Sequence, residues 1–563
     1  MAKWVEIRKG ADFEAIGKAF GVSPMTARLL RNKNLTEPEA IREYLYGGLA
    51  DLHPAERMKG VPEAAALLSR RIAEGARVRI IGDYDIDGVC STYILLRGLR
   101  AAGADVDTDI PDRKKDGYGL NEELVRRAKD AGVDTIVTCD NGIAAVREIG
   151  YAKELGMTVI VTDHHALQEE LPPADVVVNP HQPDCPYPYK ELCGAAVAWK
   201  LVSALWDHTG VPKAELYGDL LMFAGFATVG DVMNLTGENR ILVKEALKLL
   251  RTTGHPGMSA LIEATELPKE HLSAFHIGFV LGPCINASGR LDTAKRALEL
   301  LDTSDRSEAL VLAEELKALN DERKALTEES VERALTLIGS SDLKDDRVLA
   351  VYLPDCHESL AGIVAGRIRE RYYRPVFVLT RAQDGVKGSG RSIETYSMFE
   401  EMSRCRELYT KYGGHPMAAG VSMPEENVEL FRRRLNELCT LTDDDLTEVV
   451  HIDMALPFAY VSERLAEELS LLEPFGKGNE KPVFAARDVR IIEARVLGKN
   501  RNVLRLKLQD GSGTALEAVY FHDGMDGELE RLRQKTRMCI LYYPEINEFR
   551  GVKKLQIRMT GWS

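Results

Sequence analysis

The chain has 563 residues, 45% hydrophobic and 28% charged, with a formal net charge of −14. That length exceeds a single hydrophobic core, so three or four domains are expected, and the acidic balance excludes indiscriminate binding to polyanions. No apolar run of about 18 residues is present to span a bilayer, the opening MAKWVEIRKGADFEAIG has no apolar leader core, and nine cysteines at wide spacing fit neither a disulfide framework nor a Cys-x-x-Cys zinc site, so a cytoplasmic protein is expected.

Residues 1–60 read as a segment of short helices and loops. From Arg77 the apolar run RVRII stops at GDYDIDG and gives way to the helical stretch STYILLRGLRAAG. The alternation repeats through DTIVTCDNG, MTVIVTDHH and ADVVVNPH, which predicts βαβ units and a parallel sheet within a domain over 61–303. Between Ser304 and Ile338 apolar residues recur at helical spacing with no Gly or Pro. A connecting helix over 304–340, spanning about 50 Å, is predicted. A second α/β domain follows over 341–441, and the short strands and Gly turns of 451–563 predict a small OB-like β-barrel. Residues 481–563 carry 16 Lys+Arg against 10 Asp+Glu, a net of +6, which leaves −20 on residues 1–480. A basic module on an acidic body suits an enzyme that holds metal ions in one part and a nucleic-acid backbone in another.

The chemistry lies at the strand ends. In open α/β sheets ligands bind beyond the carboxyl ends of the strands. Three successive strand runs end in Asp83, Asp85 and Asp87, then Asp140, then Asp163-His164-His165, and Asp231 follows the apolar segment LLMFAGFATVG. A lone D-x-D-x-D-G also suits a calcium loop, but this one leaves a strand and lacks a glutamate at its twelfth position. Carboxylates gathered at one edge repel unless cations neutralise them. Hard oxygen ligands with imidazole favour two divalent ions, Mn²⁺ or Mg²⁺, which together support in-line phosphoryl displacement.

The ordered motifs DYDIDG, CDNG, VTDHH and TVGD resemble the metal-site motifs of the DHH phosphoesterases. IPDRKKDGYGLN and GPCINASGRL resemble signatures of the RecJ branch, and HESLAGIVAGRI, GSGRS and YGGHPMAAG resemble the DHH-associated domain. The resemblance implies that Asp83 and Asp85 hold one metal, that Asp87, His164 and Asp231 hold the other, and that Asp140 bridges them. Asp163 is expected to orient His164 from behind, and His165 to contact the scissile phosphate. Arg113 and Arg290 are expected on phosphate oxygens, Ser389, Arg391 and His415 around a terminal 5′-phosphate, and Tyr118 under a base. On this resemblance Asp87, Asp140, His165 and Arg290 form the catalytic group. The family pattern is broken at Cys284, where Arg is usual.

The implied activity is hydrolysis of single-stranded DNA from the 5′ end to 5′-mononucleotides, in repair and recombination. A monomer is expected, with a single-stranded-DNA-binding protein or a helicase as partner and no membrane contact. The barrel would guide the strand through Arg487, Arg490, Lys499, Arg501, Arg505 and Lys507. Two alternatives belong to the same fold: a phosphodiesterase for oligoribonucleotides or cyclic dinucleotides, and an inactive scaffold that binds single strands.

Overall fold

A computed structural model of the chain describes residues 2–112, 116–117, 119–498, 501–522, 525–549 and 551–563. The chain opens with a short strand, β1 (Lys3–Glu6), before its first helices. The first lobe carries a five-stranded parallel sheet of β2 (Arg77–Ile81), β3 (Asp105–Asp109), β4 (Thr135–Cys139), β5 (Thr158–Thr162) and β6 (Val176–Val178). Its order is β3-β2-β4-β5-β6, so the chain turns one way after β2 and the other way from β4. The crevice between β2 and β4 is therefore a topological switch point, where open sheets bind ligands. All five residues of β4, TIVTC, are buried, as a central parallel strand covered on both faces requires.

The predicted connecting helix is present as one 35-residue helix, Arg306–Ser340. Asp305 caps it, accepting from the Ser307 and Glu308 amides at 2.7 and 2.9 Å. Ala309, Leu312, Ala313 and Leu316 pack into the first lobe, while Ala334 and Ile338 pack into the second. The second lobe is a mixed sheet of β7 (Leu349–Tyr352), β8 (Val376–Ala382), β9 (Gly385–Arg391), β10 (Lys411–His415) and β11 (Ala418–Met423), in the order β10-β11-β9-β8-β7.

After β12 (Val449–Ile452) and β13 (Met454–Ala455), five strands form the C-terminal barrel: β14 (Phe484–Leu497), β15 (Val503–Gln509), β16 (Ala515–Phe521), β17 (Met538–Phe549) and β18 (Val552–Trp562). Antiparallel pairing of β14 with β17 closes it, β16 pairs parallel with β18, and a helix separates β16 from β17, the OB arrangement. Leu504, Leu506 and Leu508 alternate inward along β15 while Arg505 and Lys507 point out.

The N-terminal segment departs from the expectation of helices and loops alone. β1 pairs in parallel with β12, Lys3 opposite Val449 through Glu6 opposite Ile452. Leu29, Leu30, Ile41 and Leu45 share one core with Phe458, Leu469, Phe484 and Tyr542 of the C-terminal part. Arg240 of the first lobe is buried against this unit and donates to the Tyr44, Leu471 and Leu472 carbonyls at 2.9, 2.9 and 3.0 Å. No helix among the described residues is long and apolar enough to cross a membrane.

Candidate metal centre and nucleic-acid cleft

The switch point gathers the predicted ligands. Asp83 and Asp85 follow β2, and Asp85 caps the helix Ile86–Ala101, its Oδ1 accepting from the Asp87 and Gly88 amides at 3.0 Å each. Gly88 is required there, because a Cβ would lie 2.4 Å from the Asp83 carbonyl oxygen. Asp140 follows β4 with φ of 58°, a left-handed conformation that aspartate tolerates better than most residues. His164 follows β5. Asp231 ends the helix Leu221–Gly230, so the apolar segment before it is helical.

Ligand atoms of Asp83, Asp85 and Asp140 lie within 4.8 Å of one another, and those of Asp87, His164 and Asp231 do the same. His164 Nε2 stands 3.1 Å from Asp140 Oδ1, 3.6 Å from Asp87 Oδ2 and 3.7 Å from Asp231 Oδ2. Two adjoining ligand sets of oxygens and one imidazole, with no thiolate, fit a pair of hard divalent cations. Electrostatics point the same way. Burial, then the charges of Asp87 and Asp85, pushes Asp140 well above the carboxylate range, and the same causes push Asp231 up to about 8. Asp85 is raised by burial and by Asp87. Carboxyl groups so crowded ionise together only beside positive charge.

Sequence reasoning missed two supports of this cluster. The helix Gly194–Thr209 aims its N-terminus at Asp87, whose carboxylate accepts from the Gly194 and Ala195 amides at 2.6 and 2.8 Å. A Cβ on Gly194 would lie 2.8 Å from Asp140 Cβ. The second support explains GPCINASGRL: Asn286 Oδ1 accepts from the Ile86 amide at 2.8 Å, and Gly289 lets the Tyr84 carbonyl approach. The motif clamps the metal loop. Arg290, at its end, donates from Nη1 to the Ser359 carbonyl at 3.0 Å and so crosses between the lobes.

One expectation is corrected. Asp163 does not hold the His164 ring; its Oδ1 lies 2.8 Å from His165 Nδ1, and it takes the His164 and His165 backbone amides at 2.7 and 3.1 Å. The turn after β5 wraps the backbone around the carboxylate and leaves only the second imidazole in reach. Burial would raise Asp163, but the His165 contact and backbone donors outweigh it and lower its pKa. Burial likewise opposes charge on His165, and Asp163 overrides it, raising the imidazole to about 9. For His164 burial wins: it lowers the imidazole despite the nearby Asp87 charge, with the His165 charge acting in the same direction as burial. One imidazole is thus kept neutral for a metal and its neighbour cationic.

Across from the metal loop, a cleft of about 860 Å³ is lined by Tyr84 of the first lobe and by Glu358, Lys387, Ser389, Lys411 and Tyr412 of the second. Ala418 of β11 pairs with Arg391 on one side and His415 on the other, and Gly420 pairs with Ser389 and Gly413. The three expected phosphate residues therefore lie on adjacent strands at one end of the sheet. Gly362 leaves room for Arg391, since a Cβ there would come within 2.8 Å of Nη2. Burial and the Arg369 charge lower the Arg391 pKa, as an uncompensated cation requires. Arg113, Tyr118 and Lys499 lie outside the described residues.

Comparison with known proteins agrees with this architecture. Family models match the DHH family N-terminal domain at residues 77–224, the DHHA1 domain at 345–441 and the RecJ OB domain at 452–561. The single-stranded-DNA-specific exonuclease RecJ of Escherichia coli is 34% identical over 579 residues, covering 99% of both chains. That of Bacillus subtilis is 37% identical over 541 residues, covering 95% of this chain and 67% of the relative. The crystal structure of Thermus thermophilus RecJ with Mn²⁺ superposes with a TM-score of 0.84 at 31% identity, covering 100% of this chain and 79% of that one, and the Mg²⁺ complex superposes with a TM-score of 0.78 at 30% identity.

Proposed function

The chain belongs to the RecJ family of DHH phosphoesterases, and on that premise we propose that it is a metal-dependent exonuclease that degrades single-stranded DNA from the 5′ end, releasing 5′-mononucleotides during repair and recombination. The observation that carries this reading is the convergence of six candidate ligand residues at the loop whose Tyr84 faces Ser389 across the cleft.

When bound, two divalent ions lower the pKa of water and offset the charge of the attacked phosphate. In our assignment Asp83 and Asp85 would hold one ion, Asp87, His164 and Asp231 would hold the other, and Asp140 would serve both. Gly194 and Ala195 fix Asp87 through their amides. His165, kept cationic by Asp163, holds a proton beside the scissile phosphate and offsets charge on its oxygens. Ser389, Arg391 and His415 take the terminal 5′-phosphate, Arg113 and Arg290 take further phosphate oxygens, and Tyr118 stacks on a base. Anchoring the terminal phosphate on one wall sets the first internucleotide linkage over the ligands of the other, so one nucleotide leaves per cycle. We assign strand selectivity to the same cleft.

We also read the enzyme as a cytoplasmic monomer working with a single-stranded-DNA-binding protein or a helicase; the nine unpaired cysteines support a reducing compartment. Digestion of one long strand labelled separately at each end, with Mn²⁺ or with chelator, tests the central reading. The 5′ label should appear first as mononucleotide, and only with metal. Earlier release of the 3′ label, or faster turnover of dinucleotides than of long strands, would sink it.

A further inference from the structure

The helix Arg306–Ser340 carries five cations, and four of them have carboxylate partners: Arg306 with Glu263, Lys317 and Lys324 with Asp321, and Arg333 with Asp355. Arg323 is the exception, forming no ion pair among the described residues. It does not point into open solvent either. The buried stripe of this helix runs through Leu316 and Asn320 on the first lobe and Thr327, Ser330 and Ala334 on the second. Arg323 falls three residues after Asn320 and four before Thr327, on that same inward face, at the interval between the lobes. It is half-buried, and its Nε donates to Asn320 Oδ1 at 3.0 Å. Asn320 in turn donates from Nδ2 to Cys284 Sγ at 3.5 Å. Burial lowers the Arg323 pKa, Cys284 opposes this in part, the Arg367 charge adds to the lowering, and no carboxylate contributes. A half-desolvated guanidinium beside another cation is costly unless an anion joins it.

Position 284 is where, on the resemblance drawn from the sequence, an arginine is expected and a cysteine stands. The buried Cys284 thiol anchors Asn320, and Asn320 in turn holds the Arg323 side chain on the inward face of this helix between the lobes. We infer that Arg323 contacts a backbone phosphate of the substrate strand where it passes between the two lobes, supplying from the connecting helix a cation that position 284 lacks.

The inference rests on the single-strand reading above, and the two fail differently: wild-type enzyme that does not degrade single strands removes the reading, whereas active wild-type enzyme indifferent to changes at position 323 removes only the inference. The experiment measures KM for a 5′-phosphorylated single strand across a salt series, with Mn²⁺, for the wild type, Arg323→Gln and Arg323→Lys. Arg323→Gln should raise KM roughly tenfold and flatten the salt slope by about 0.7, the value for one phosphate contact on a single strand. Arg323→Lys, which keeps a point charge, should retain the slope. Because the comparison is between two variants of the same position, a loss of packing shared by both does not mimic the result. Equal slopes for the Gln and Lys variants overturn the inference.

Discussion

The amide of Gly194 donates to Asp87 Oδ2 at 2.6 Å, so the positive end of a helix holds a candidate metal ligand in place. Replacing Gly194 by Ala puts a Cβ 2.8 Å from Asp140 Cβ and 3.0 Å from Asp87 Oδ2. Gly194→Ala should weaken Mn²⁺ binding and activity by about 10- to 100-fold, the range for residues that orient ligands, with an unchanged far-ultraviolet spectrum. Titration calorimetry giving wild-type Mn²⁺ affinity would show that the helix start does not position the site.

Metal binding should depend steeply on pH. Burial and the charges of Asp87 and Asp85 push Asp231 up to about 8, and Asp85 and Asp140 shift in the same direction. A carboxyl raised in the folded state stabilises the fold fully below its unfolded pKa of 3.8 and loses that contribution as pH rises through about 8. Divalent ions replace those protons. The gain in melting temperature from Mn²⁺ should therefore grow between about pH 5.5 and pH 8.5. A gain independent of pH would mean that the carboxylates are not competing with protons for the ions.

The Asp163–His165 contact predicts an alkaline limb. His165 is raised to about 9, so its cationic form, and the activity that uses it, should fade as pH rises through that value. Asp163→Asn removes the charge that outweighs burial and should move the limb down by about one to two units. A limb that stays in place would separate His165 from the pH dependence.

Arg391 has an exposed neighbour, His415, across Ala418 but no carboxylate of its own among the described residues. Arg391→Ala should reduce the preference for a 5′-phosphorylated over a 5′-hydroxyl strand by about tenfold or more, read as the ratio of kcat/KM for the two substrates. An unchanged ratio would place the terminal phosphate elsewhere.

Arg240 satisfies three buried carbonyls where the first lobe meets the shared core of the N-terminal segment and the barrel. Arg240→Ala should cost at least about 3 kcal/mol and separate the melting of these units in calorimetry. A single unshifted transition would show that the lobes are held together by other contacts. Removing residues 451–563 is a poorer test of the barrel, since it would strip Leu29, Leu30 and Leu45 of their core.

Much of this was legible in the sequence because all the candidate ligands but Asp231, which ends a helix, sit at strand ends, and strand ends are marked by β-branched runs that stop at polar residues. The 35-residue helix was legible because apolar residues recur mostly at helical spacing and no Gly or Pro interrupts them between Ser304 and Ile338. Gly194 was not, because a glycine that spares room for Asp140, 54 positions earlier, looks like any helix start until the chain is folded. Nor was the partner of Asp163, since adjacent histidines differ only in which way the turn after β5 presents them. The pairing of KWVE with VVHI escaped notice because four residues carry too little pattern to announce a strand.

That last pairing has a consequence for biosynthesis. Lys3–Glu6 aligns with Val449–Ile452, so more than 400 residues must leave the ribosome before the first strand meets its partner. Meanwhile Leu29, Leu30 and Leu45 remain uncovered, as their companions in the barrel do not yet exist. The first lobe, built from local βαβ units, matures ahead of them. The core shared by Leu29, Leu30 and Leu45 with the barrel is thus closed by contacts of very long sequence separation and is a late, slow step of folding.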